Sequence, residues 1–138
     1  MTREAFIIQL CRVFGEEPGS VYVYGRENGW LEQEDELFKE EEINRKTVAR
    51  ILHMYLLKEK EIPDIKDISK AQVLRDLYDC RVCANHVAQI FLTGIIEAKD
   101  LAASGGFLWF DLEGKDDLNA IEQYLDNAFK YCDNYKRG

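Results

Sequence analysis

Apolar residues recur at helical spacing in three stretches of the chain that open in a similar way, with MTREAF, INRKTV and LNAIEQ. Each stretch starts with an apolar residue and then Thr or Asn, and an apolar stripe follows along one helical face. The pattern predicts three related helices that begin near residues 2, 44 and 119. Along the stripe, the copies carry Ile7, Cys11 and Phe14, then Ala49, His53 and Leu56, then Tyr124, Ala128 and Tyr131.

The polar residue near each start is suited to begin a helix. Thr2, Asn44 and Asn119 accept hydrogen bonds well from first-turn amides, which have no partner within the helix. Only the third copy has an acidic residue three positions later, Glu122, as a reciprocal capping box requires. We therefore expect Asn119 to be the cap of the third helix.

The segments between the first two helices give weaker signals. Residues 21–32, VYVYGRENGWLE, fit either a two-turn helix or a strand. The stretch that follows, EQEDELFKEEE at residues 32–42, carries seven acidic residues and one Lys. Such a charge run predicts a solvated connector, with Leu37 and Phe38 tucked inward.

A second recurring pattern links the later part of the chain to the earlier part. Residues 69–94 keep apolar residues at helical spacing for longer than an average helix, which predicts two helices with a break near residues 79–84. Gly94 and the IIE after it match Gly29 and the WLE after it, and each match precedes one of the motif helices. Two patterns that recur in the same order predict a helical repeat.

The composition fits one domain and excludes several kinds of partner. The chain has 138 residues, of which 46% are hydrophobic, enough to bury about two-thirds of its unfolded surface. A net charge of −8 leaves no general attraction for nucleic acid, and no run approaches the roughly 20 apolar residues of a membrane span. We expect one all-α domain over residues 1–138, with a minor β segment near residues 107–110, no nucleic-acid partner and no membrane insertion.

The N-terminal stretch predicts a helix and not an export signal. Glu4, Gln9 and Arg12 interrupt its apolar residues, as in an amphipathic helix. The expected location is the cytoplasm if the chain is a whole protein, and the cell surface if it is part of a longer secreted protein.

The order of the recurring patterns resembles that of the S-layer homology domain. In that family, each repeat has a helix that opens with a sequence like ITRAE, a connector like FPDV, and a second helix that ends in GII. Here the openings are MTREAF, INRKTV and LNAIEQ, the connector is IPDI, and the second-helix ends are GWLE and GIIE. The resemblance covers nearly the whole chain, as the end of one repeat, a full repeat and the start of another.

The resemblance implies a spindle of helical repeats around a pseudo-threefold axis and a non-catalytic role in holding proteins to bacterial secondary cell-wall polysaccharide. In the family, the Arg of the ITRAE-like motif contacts an acidic pyruvylated sugar in grooves between repeats. Position in the motif gives that role to Arg3 and Arg45, whereas the third copy has Ala120. Ala cannot replace the paired hydrogen bonds of a guanidinium. The alternative for both Arg residues is an ordinary exposed position in a first helical turn.

An aromatic set is a further candidate for contact with a sugar. It consists of Trp30, Phe107, Trp109 and Phe110. If FLWF is extended, both of its faces are apolar, which favours burial over a sugar-stacking role. Trp30 is therefore a candidate ligand-binding residue, together with Arg3 and Arg45.

The motif CRVCANH contains residues that bind metals in other proteins. On one continuous helix, Cys80 and His86 lie about 9 Å apart along the axis, too far to share a tetrahedral ion. We expect the four cysteines to pack in the core, with a disulfide or zinc at Cys80 and Cys83 as alternatives, and we expect no cofactor. His53 is predicted to be a hydrogen-bonded core residue. No nucleophile is placed beside either histidine, so no enzyme activity is expected.

Two functions fit these observations. The first is an S-layer-homology-like binding module for secondary cell-wall polysaccharide or a related acidic glycan. The second is a cytoplasmic helical scaffold for protein interaction that has lost the glycan site, as the missing third Arg favours. Exposed repeat ends lead us to expect a homo-oligomer.

Overall fold

The computed structural model of the chain describes residues 1–100, 105 and 107–138. These residues are mostly helical, with a small two-stranded sheet, as the sequence predicts. Among them, no helix is both long and apolar enough to cross a membrane.

Three helices form the first part of the fold. α1 spans Arg3–Val13, α2 spans Val21–Glu27 and α3 spans Gln33–Leu37. Thr2 caps α1 as predicted, because its hydroxyl accepts a hydrogen bond of 3.1 Å from the Ala5 amide. The segment VYVYGRE forms α2, so it is a helix and not a strand.

The second motif helix is central to the fold. α4 spans Arg45–Met54 and continues as a π-helix over Tyr55–Glu59. The side chain of Asn44 accepts a hydrogen bond of 3.0 Å from the Thr47 amide, so the predicted cap is confirmed.

The stretch before the next helix is less helical than its apolar spacing predicts. Ser69–Val73 and Leu77–Asp79 are short 3-10 turns, and α5 spans only Ala84–Leu92. The expected first helix is wrong because this backbone makes long-range hydrogen bonds. The Arg75 amide donates to the Leu108 carbonyl at 2.9 Å, so tertiary pairing replaces local helix formation.

The sheet follows α5. β1 spans Lys99–Asp100 and pairs antiparallel with β2, Leu108–Trp109, in a register that places Lys99 opposite Trp109. β2 confirms the predicted β segment.

The last helix, α6, spans Leu118–Arg137. It begins where the motif places it, but its cap is Asp117, whose carboxylate accepts a hydrogen bond of 2.9 Å from the Ala120 amide. The prediction of Asn119 as the cap is wrong, since Asn119 lies inside the first turn. A carboxylate two residues earlier caps the helix and also carries charge that suits a helix N-terminus.

The core lies among α1, α4, α5 and α6. α4 packs against α5, and α1 packs against α6. The predicted stripes supply part of the core: Ile7, Cys11, Ala49, Leu56 and Ala128 are buried, whereas Phe14, Tyr124 and Tyr131 are only partly buried. Other positions on the same helices and the residues that follow the two glycines supply the rest of the core. Its fully buried members include Phe6, Ile7, Leu10, Trp30, Ile51, Leu52, Val87, Ala88, Ile90, Ile95, Ile121, Leu125 and Ala128.

Two junctions in the fold correspond to one another, as a repeat requires. The first turn of α1 docks on the loop before α4, where the Arg3 amide donates to the Glu41 carbonyl at 2.8 Å. The first turn of α4 docks in the same way on the loop before α6, where the Arg45 amide donates to the Gly114 carbonyl at 2.8 Å. Within the described residues, no loop docks on the first turn of α6.

The recurring glycines also correspond. Gly29 and Gly94 have φ values of 83° and 79°, in the left-handed region that favours glycine. Each ends a helical segment and directs the next two residues into the core: Trp30 and Leu31 after the first, Ile95 and Ile96 after the second.

Candidate functional site

Arg45 is an interior residue. Its side chain is 3% exposed. Its Nε donates to the Phe110 carbonyl at 2.6 Å and its Nη2 to the Glu97 carbonyl at 2.8 Å. Its Nη1 bonds to the Asp116 carboxylate at 2.6 Å and to the Tyr124 hydroxyl at 2.7 Å. The guanidinium therefore joins the start of α4 to the sheet, to α6 and to the chain after Gly94.

The loop around Arg45 is folded tightly. A Cβ on Gly114 would lie 2.3 Å from Asp111 Oδ2 and 3.1 Å from Arg45 Cδ, so this position requires glycine. Asp111 has a φ of 66°, a left-handed conformation that is uncommon outside glycine. The buried carboxylate of Asp76 stabilises the turn by accepting hydrogen bonds from the amides of Phe110, Asp111 and Leu112.

Two partners of Arg45, Asp116 and Tyr124, each keep one protonation state at neutral pH. Burial alone would raise the pKa of Asp116, but hydrogen bonds from Tyr124 and Arg45 outweigh it and lower that pKa. Burial and the hydrogen bond to Asp116 raise the pKa of Tyr124 to about 12. At neutral pH, Asp116 is therefore an anion and Tyr124 a neutral donor, which suits a permanent cation between them.

Arg3 takes part in a corresponding junction built around Asp35. This carboxylate is fully buried, at 0% exposure, and accepts a hydrogen bond of 3.1 Å from Arg3 Nη1. Arg50 binds it in a bidentate manner at 3.0 and 2.6 Å, and the Glu32 amide donates to it at 2.8 Å. Burial would raise the pKa of Asp35, but its hydrogen bonds with Arg50 reverse that effect and the pKa is lowered. Asp35 is therefore ionised.

This junction corrects the prediction for the acidic stretch. Leu37 is 73% exposed and Phe38 is 41% exposed, so the apolar pair does not tuck inward as expected. Asp35 is the inward residue, because two cations meet it there. Asp35 is the single aspartate among the seven acidic residues of this stretch, but the charge pattern does not show that it meets two distant cations.

The three predicted ligand-binding residues are thus placed inside the protein. Arg3 and Arg45 belong to separate junctions, and neither is the exposed first-turn residue that we considered as the alternative. Trp30 is 1% exposed and packs edge-to-face on Tyr55, with ring centroids 4.9 Å apart. All three have internal contacts that account for their positions, and a role in ligand binding stays a prediction.

The two histidines form a hydrogen-bonded chain. His53 is 6% exposed, which confirms it as a hydrogen-bonded core residue. Its Nε2 lies 2.6 Å from Asp64 Oδ1 and its Nδ1 lies 2.7 Å from His86 Nδ1. A proton on His53 Nε2 for Asp64 makes His53 Nδ1 the acceptor for a proton on His86 Nδ1. In this arrangement, His86 Nε2 is left with a lone pair.

Electrostatics favour this neutral arrangement. Burial, together with the neighbouring His53 and Arg50, lowers the pKa of His86 to about 4. Burial opposes ionisation of Asp64, but hydrogen bonds from His53 and Asn85 outweigh it and lower the Asp64 pKa. His86 is therefore neutral at pH 7.

Two cavities flank Lys46, which lines both. The first, here called the Trp109 cavity, has a volume of about 460 Å³ and is lined by Lys46, Asp76, Asp79, Cys80, Trp109, Asp111, Leu112 and Glu113. The second, the His86 cavity, has a volume of about 170 Å³ and is lined by Glu32, Glu34, Lys46, Thr47, Arg50, Val82, Cys83 and His86. Both cavities lie where the first turn of α4 meets other elements.

Most charged groups in the Trp109 cavity already have partners. Asp111 pairs with Lys99 at 2.8 Å, and Glu113 pairs with Lys46. The Asp76 carboxylate already accepts hydrogen bonds from the backbone amides of residues 110–112. Asp79 is different, because its carboxylate makes no hydrogen bond or ion pair with any of the described residues.

The His86 cavity carries both signs of charge. Burial and a hydrogen bond with Glu34 raise the pKa of Glu32, despite the nearby cation of Arg50. Arg50 is held by Asp35, and Lys46 is held by Glu113.

The cysteines divide into two kinds. Cys11 and Cys132 are free and buried, as expected for core residues. Cys80 and Cys83 lie against the core but are only half-buried, and they form a disulfide with Cα atoms 5.2 Å apart, so the disulfide considered for this pair is the alternative that the structure has. The predicted break before α5 brings them together. In the part of the chain that the structure describes, no cluster of His, Cys, Asp or Glu residues is arranged to hold a metal ion.

Comparison of the chain with protein-family models, with characterised proteins and with solved structures found no match.

Proposed function

We propose that this chain is a non-catalytic binding module that recognises a glycan through the Trp109 cavity. The observation that carries the proposal is a cavity of about 460 Å³ that is lined by Trp109 and by the exposed carboxylate of Asp79, which makes no hydrogen bond or ion pair with the described residues. That volume lies within the range of about 300–1,000 Å³ that is typical of small-molecule sites.

The lining residues suit hydroxyl groups. A carboxylate such as Asp79 accepts hydrogen bonds from sugar hydroxyls, and Lys46 donates to sugar oxygens. An aromatic side chain such as Trp109 adds apolar contact area for the C–H faces of a sugar ring. Together they supply the acceptor, the donor and the apolar surface that a sugar needs.

The resemblance to the S-layer homology domain supports a glycan ligand and a spindle of repeats around a pseudo-threefold axis. The two corresponding first-turn junctions of α1 and α4 are consistent with such a spindle. In this proposal, Arg3 and Arg45 brace the junctions, and the ligand binds beside them in the cavity next to Lys46.

Charge narrows the class of glycan. Four carboxylates and one Lys line the Trp109 cavity, and the net charge of the chain is −8. An acidic, pyruvylated sugar would be repelled there, whereas hydroxyls or an amino group would be attracted. The proposed ligand is therefore a neutral or amino-sugar segment of a cell-wall glycan.

Co-sedimentation with Gram-positive sacculi tests this proposal. We expect the chain to pellet with intact sacculi and to stay in solution after the secondary polysaccharide is stripped. Asp79→Asn and Lys46→Ala should each weaken pelleting at least fivefold, because they remove one polar contact of about 1 kcal/mol or more.

Lys39→Ala is the matched control, since Lys39 is a partly exposed lysine on the loop before α4 and lies outside both cavities. Pelleting that Lys39→Ala reduces as much as Lys46→Ala would reveal charge attraction alone. A chain that stays in the supernatant with every wall preparation would reject the glycan.

A second candidate function is protein association, which the internal placement of Arg3 and Arg45 favours. Leu118 is 52% exposed in the first turn of α6, where no described loop docks, and Val82 is 87% exposed. If Leu118 lies in a homo-oligomer interface, sedimentation velocity should show an oligomer that Leu118→Glu dissociates. A wild-type monomer at all concentrations would exclude the homo-oligomer.

A further inference from the structure

Two neighbouring apolar side chains are exposed at the end of α3. Leu37 is 73% exposed and Phe38 is 41% exposed. They line an open groove of about 470 Å³ together with Lys39, Glu40 and Glu41, here called the α3 groove. It shares no lining residue with the Trp109 cavity or the His86 cavity. The α3 groove is therefore a surface that the proposed glycan site does not use, and adjacent exposed apolar side chains are typical of contact surfaces.

The backbone beneath the α3 groove is held in place by the first turn of α1. The Arg3 amide donates to the Glu41 carbonyl at 2.8 Å, and the Glu4 amide donates to the Lys39 carbonyl at 3.0 Å. At the start of α3, the buried Asp35 closes a capping box. The groove is thus preformed, and its side chains project from a backbone that is already ordered. A preformed surface lowers the entropic cost of association.

The α3 groove carries uncompensated negative charge beside its apolar side chains. The three glutamates at residues 40–42 are exposed, and their carboxylates make no hydrogen bond or ion pair with any of the described residues. The acidic residue one turn earlier is different, because Glu36 pairs with Arg26 at 3.3 Å. Lys39, the cation that lines the groove, has its Nζ 4.0 Å from Glu4 Oε2. Three carboxylates therefore face solvent without a neutralising cation.

These charges oppose several kinds of occupant. Nucleic acid, an acidic glycan and an anionic lipid surface would be repelled. A second copy of the chain has a net charge of −8 and would bring the same glutamates to a symmetric contact. The cations at the end of α6 do not change this, since Lys130 pairs with Asp126 at 2.9 Å and Arg137 pairs with Asp133 at 3.0 Å. A cationic partner that also has an apolar group complements the surface.

We propose that the α3 groove docks a basic polypeptide segment of a partner protein. One apolar side chain of the segment packs against Leu37 and Phe38, and its Lys or Arg residues pair with the glutamates at residues 40–42. The apolar contact supplies affinity, and the charges orient the segment and speed its approach. Arg suits this surface best, because a guanidinium pairs with a carboxylate through two hydrogen bonds and also stacks on an aromatic ring.

The test is selection from a random peptide library, displayed on phage, against the folded chain at physiological ionic strength. We expect the recovered peptides to have a net positive charge and at least one large apolar residue. A synthetic peptide of the most frequent sequence is then measured by fluorescence anisotropy. Replacement of its apolar residue by Ser should weaken binding about tenfold, and replacement of its Lys and Arg residues by Gln should weaken it at least about fivefold.

Two variants of the chain locate the contact, and each has a matched control. Leu37→Ser should weaken binding of the synthetic peptide about tenfold, because it removes apolar surface from the groove. Glu41→Lys should weaken it at least about fivefold and reduce its dependence on salt. Val82→Ser changes an apolar residue that is 87% exposed, and Glu122→Lys changes an exposed glutamate of α6, both outside the groove. Each control should leave the affinity within about twofold, and circular dichroism verifies that all four variants are folded.

The proposal is overturned if nothing is enriched from the library or if the recovered peptides have no net positive charge. Equal losses for Leu37→Ser and Val82→Ser would also overturn it, as would equal losses for Glu41→Lys and Glu122→Lys, which indicate general charge attraction. A dimer in sedimentation velocity that Leu37→Ser dissociates would make a second copy the occupant in place of a basic segment. Pelleting with sacculi does not enter any of these outcomes, so glycan binding and peptide docking fail or succeed separately.

Discussion

The two Arg-containing junctions make the same kind of connection around buried charges of opposite sign. Each ties the first turn of a motif helix to the segment before the next motif helix. At Arg45, a cation lies deepest, and backbone carbonyls, Asp116 and Tyr124 surround it. At Asp35, an anion lies deepest, and Arg3 and Arg50 surround it.

This difference shows that the fold preserves the position of a brace and not the sign of its central charge. A buried charge is tolerated when it is paired and hydrogen-bonded. Arg45 meets that condition with two backbone carbonyls, Asp116 and Tyr124, and Asp35 meets it with two guanidinium groups and one amide. The third motif helix has Ala120 at the Arg position of the motif and Leu118 as its first helical residue, the place that Arg3 and Arg45 hold in α1 and α4, and it makes no brace with the described residues.

The largest effect is expected at Asp35, because two cations depend on it. Asp35→Asn keeps the shape but leaves Arg3 and Arg50 without their shared anion, which should reduce the free energy of unfolding by about 3–5 kcal/mol. Urea denaturation monitored by circular dichroism measures this. Glu36→Gln, on the exposed pair with Arg26, should change it by less than about 0.5 kcal/mol. Equal effects of the two substitutions would contradict the central role of Asp35.

A smaller loss is expected at Arg45. Arg45→Lys keeps the charge but cannot reach the carbonyls and the carboxylate together, which should cost about 2–3 kcal/mol in the same measurement. Arg26→Lys is the control, since the Arg26 side chain is 39% exposed and should tolerate the change within about 0.5 kcal/mol. A larger loss at Arg45 than at Asp35 would reverse the order of the two junctions.

A pH titration separates both junctions from the histidine chain. The folded-state pKa of His86 is lowered from 6.5 to about 4, so the unfolded chain binds this proton first as the pH falls. Stability should therefore decline by about 2–3 kcal/mol between pH 6.5 and 4. The lowered pKa of Asp64 acts in a lower window, below about pH 4, where its protonation removes further stability.

His86→Gln should flatten the decline between pH 6.5 and 4, because Gln does not titrate. Thermal unfolding at several pH values measures it. A decline of the same size in the variant would mean that other groups cause it.

The smallest effect is expected at the third motif helix. Leu118→Arg places a cation at the first residue of α6, where α1 and α4 have Arg3 and Arg45. No described residue forms an anionic loop against it, so the free energy of unfolding should change by less than about 0.5 kcal/mol. Stabilisation by 2 kcal/mol or more would show that a brace forms at this end as well.

The sequence predicts part of the fold because those features depend on neighbouring residues. Thr2 and Asn44 begin helices through their own side chains, and Gly94 ends a segment through its own backbone freedom. The cap at Asn119 fails because Asp117 satisfies the same amides two residues earlier. The helix expected after Ser69 fails because its backbone pairs with β2 instead.

The predicted site differs from the observed cavities for a related reason. Position in the motif predicts Arg3 and Arg45 as ligand-binding residues, yet both side chains make hydrogen bonds inside the protein. Asp79 and His86 line the cavities, and only the tertiary structure brings them to the surface beside Lys46. CRVCANH is the one sequence motif near these cavities. The break before α5 allows its two cysteines to form a disulfide, and His86 follows on the helix.

The sequence by itself determined where the three motif helices begin and two of their three caps, since each arises from residues within one or two turns. The tertiary structure decided which charges are buried. Arg3 meets Asp35 across 32 positions, and Arg45 meets Asp116 across 71. Burial of a charge depends on such distant partners, and a local pattern carries no information about them.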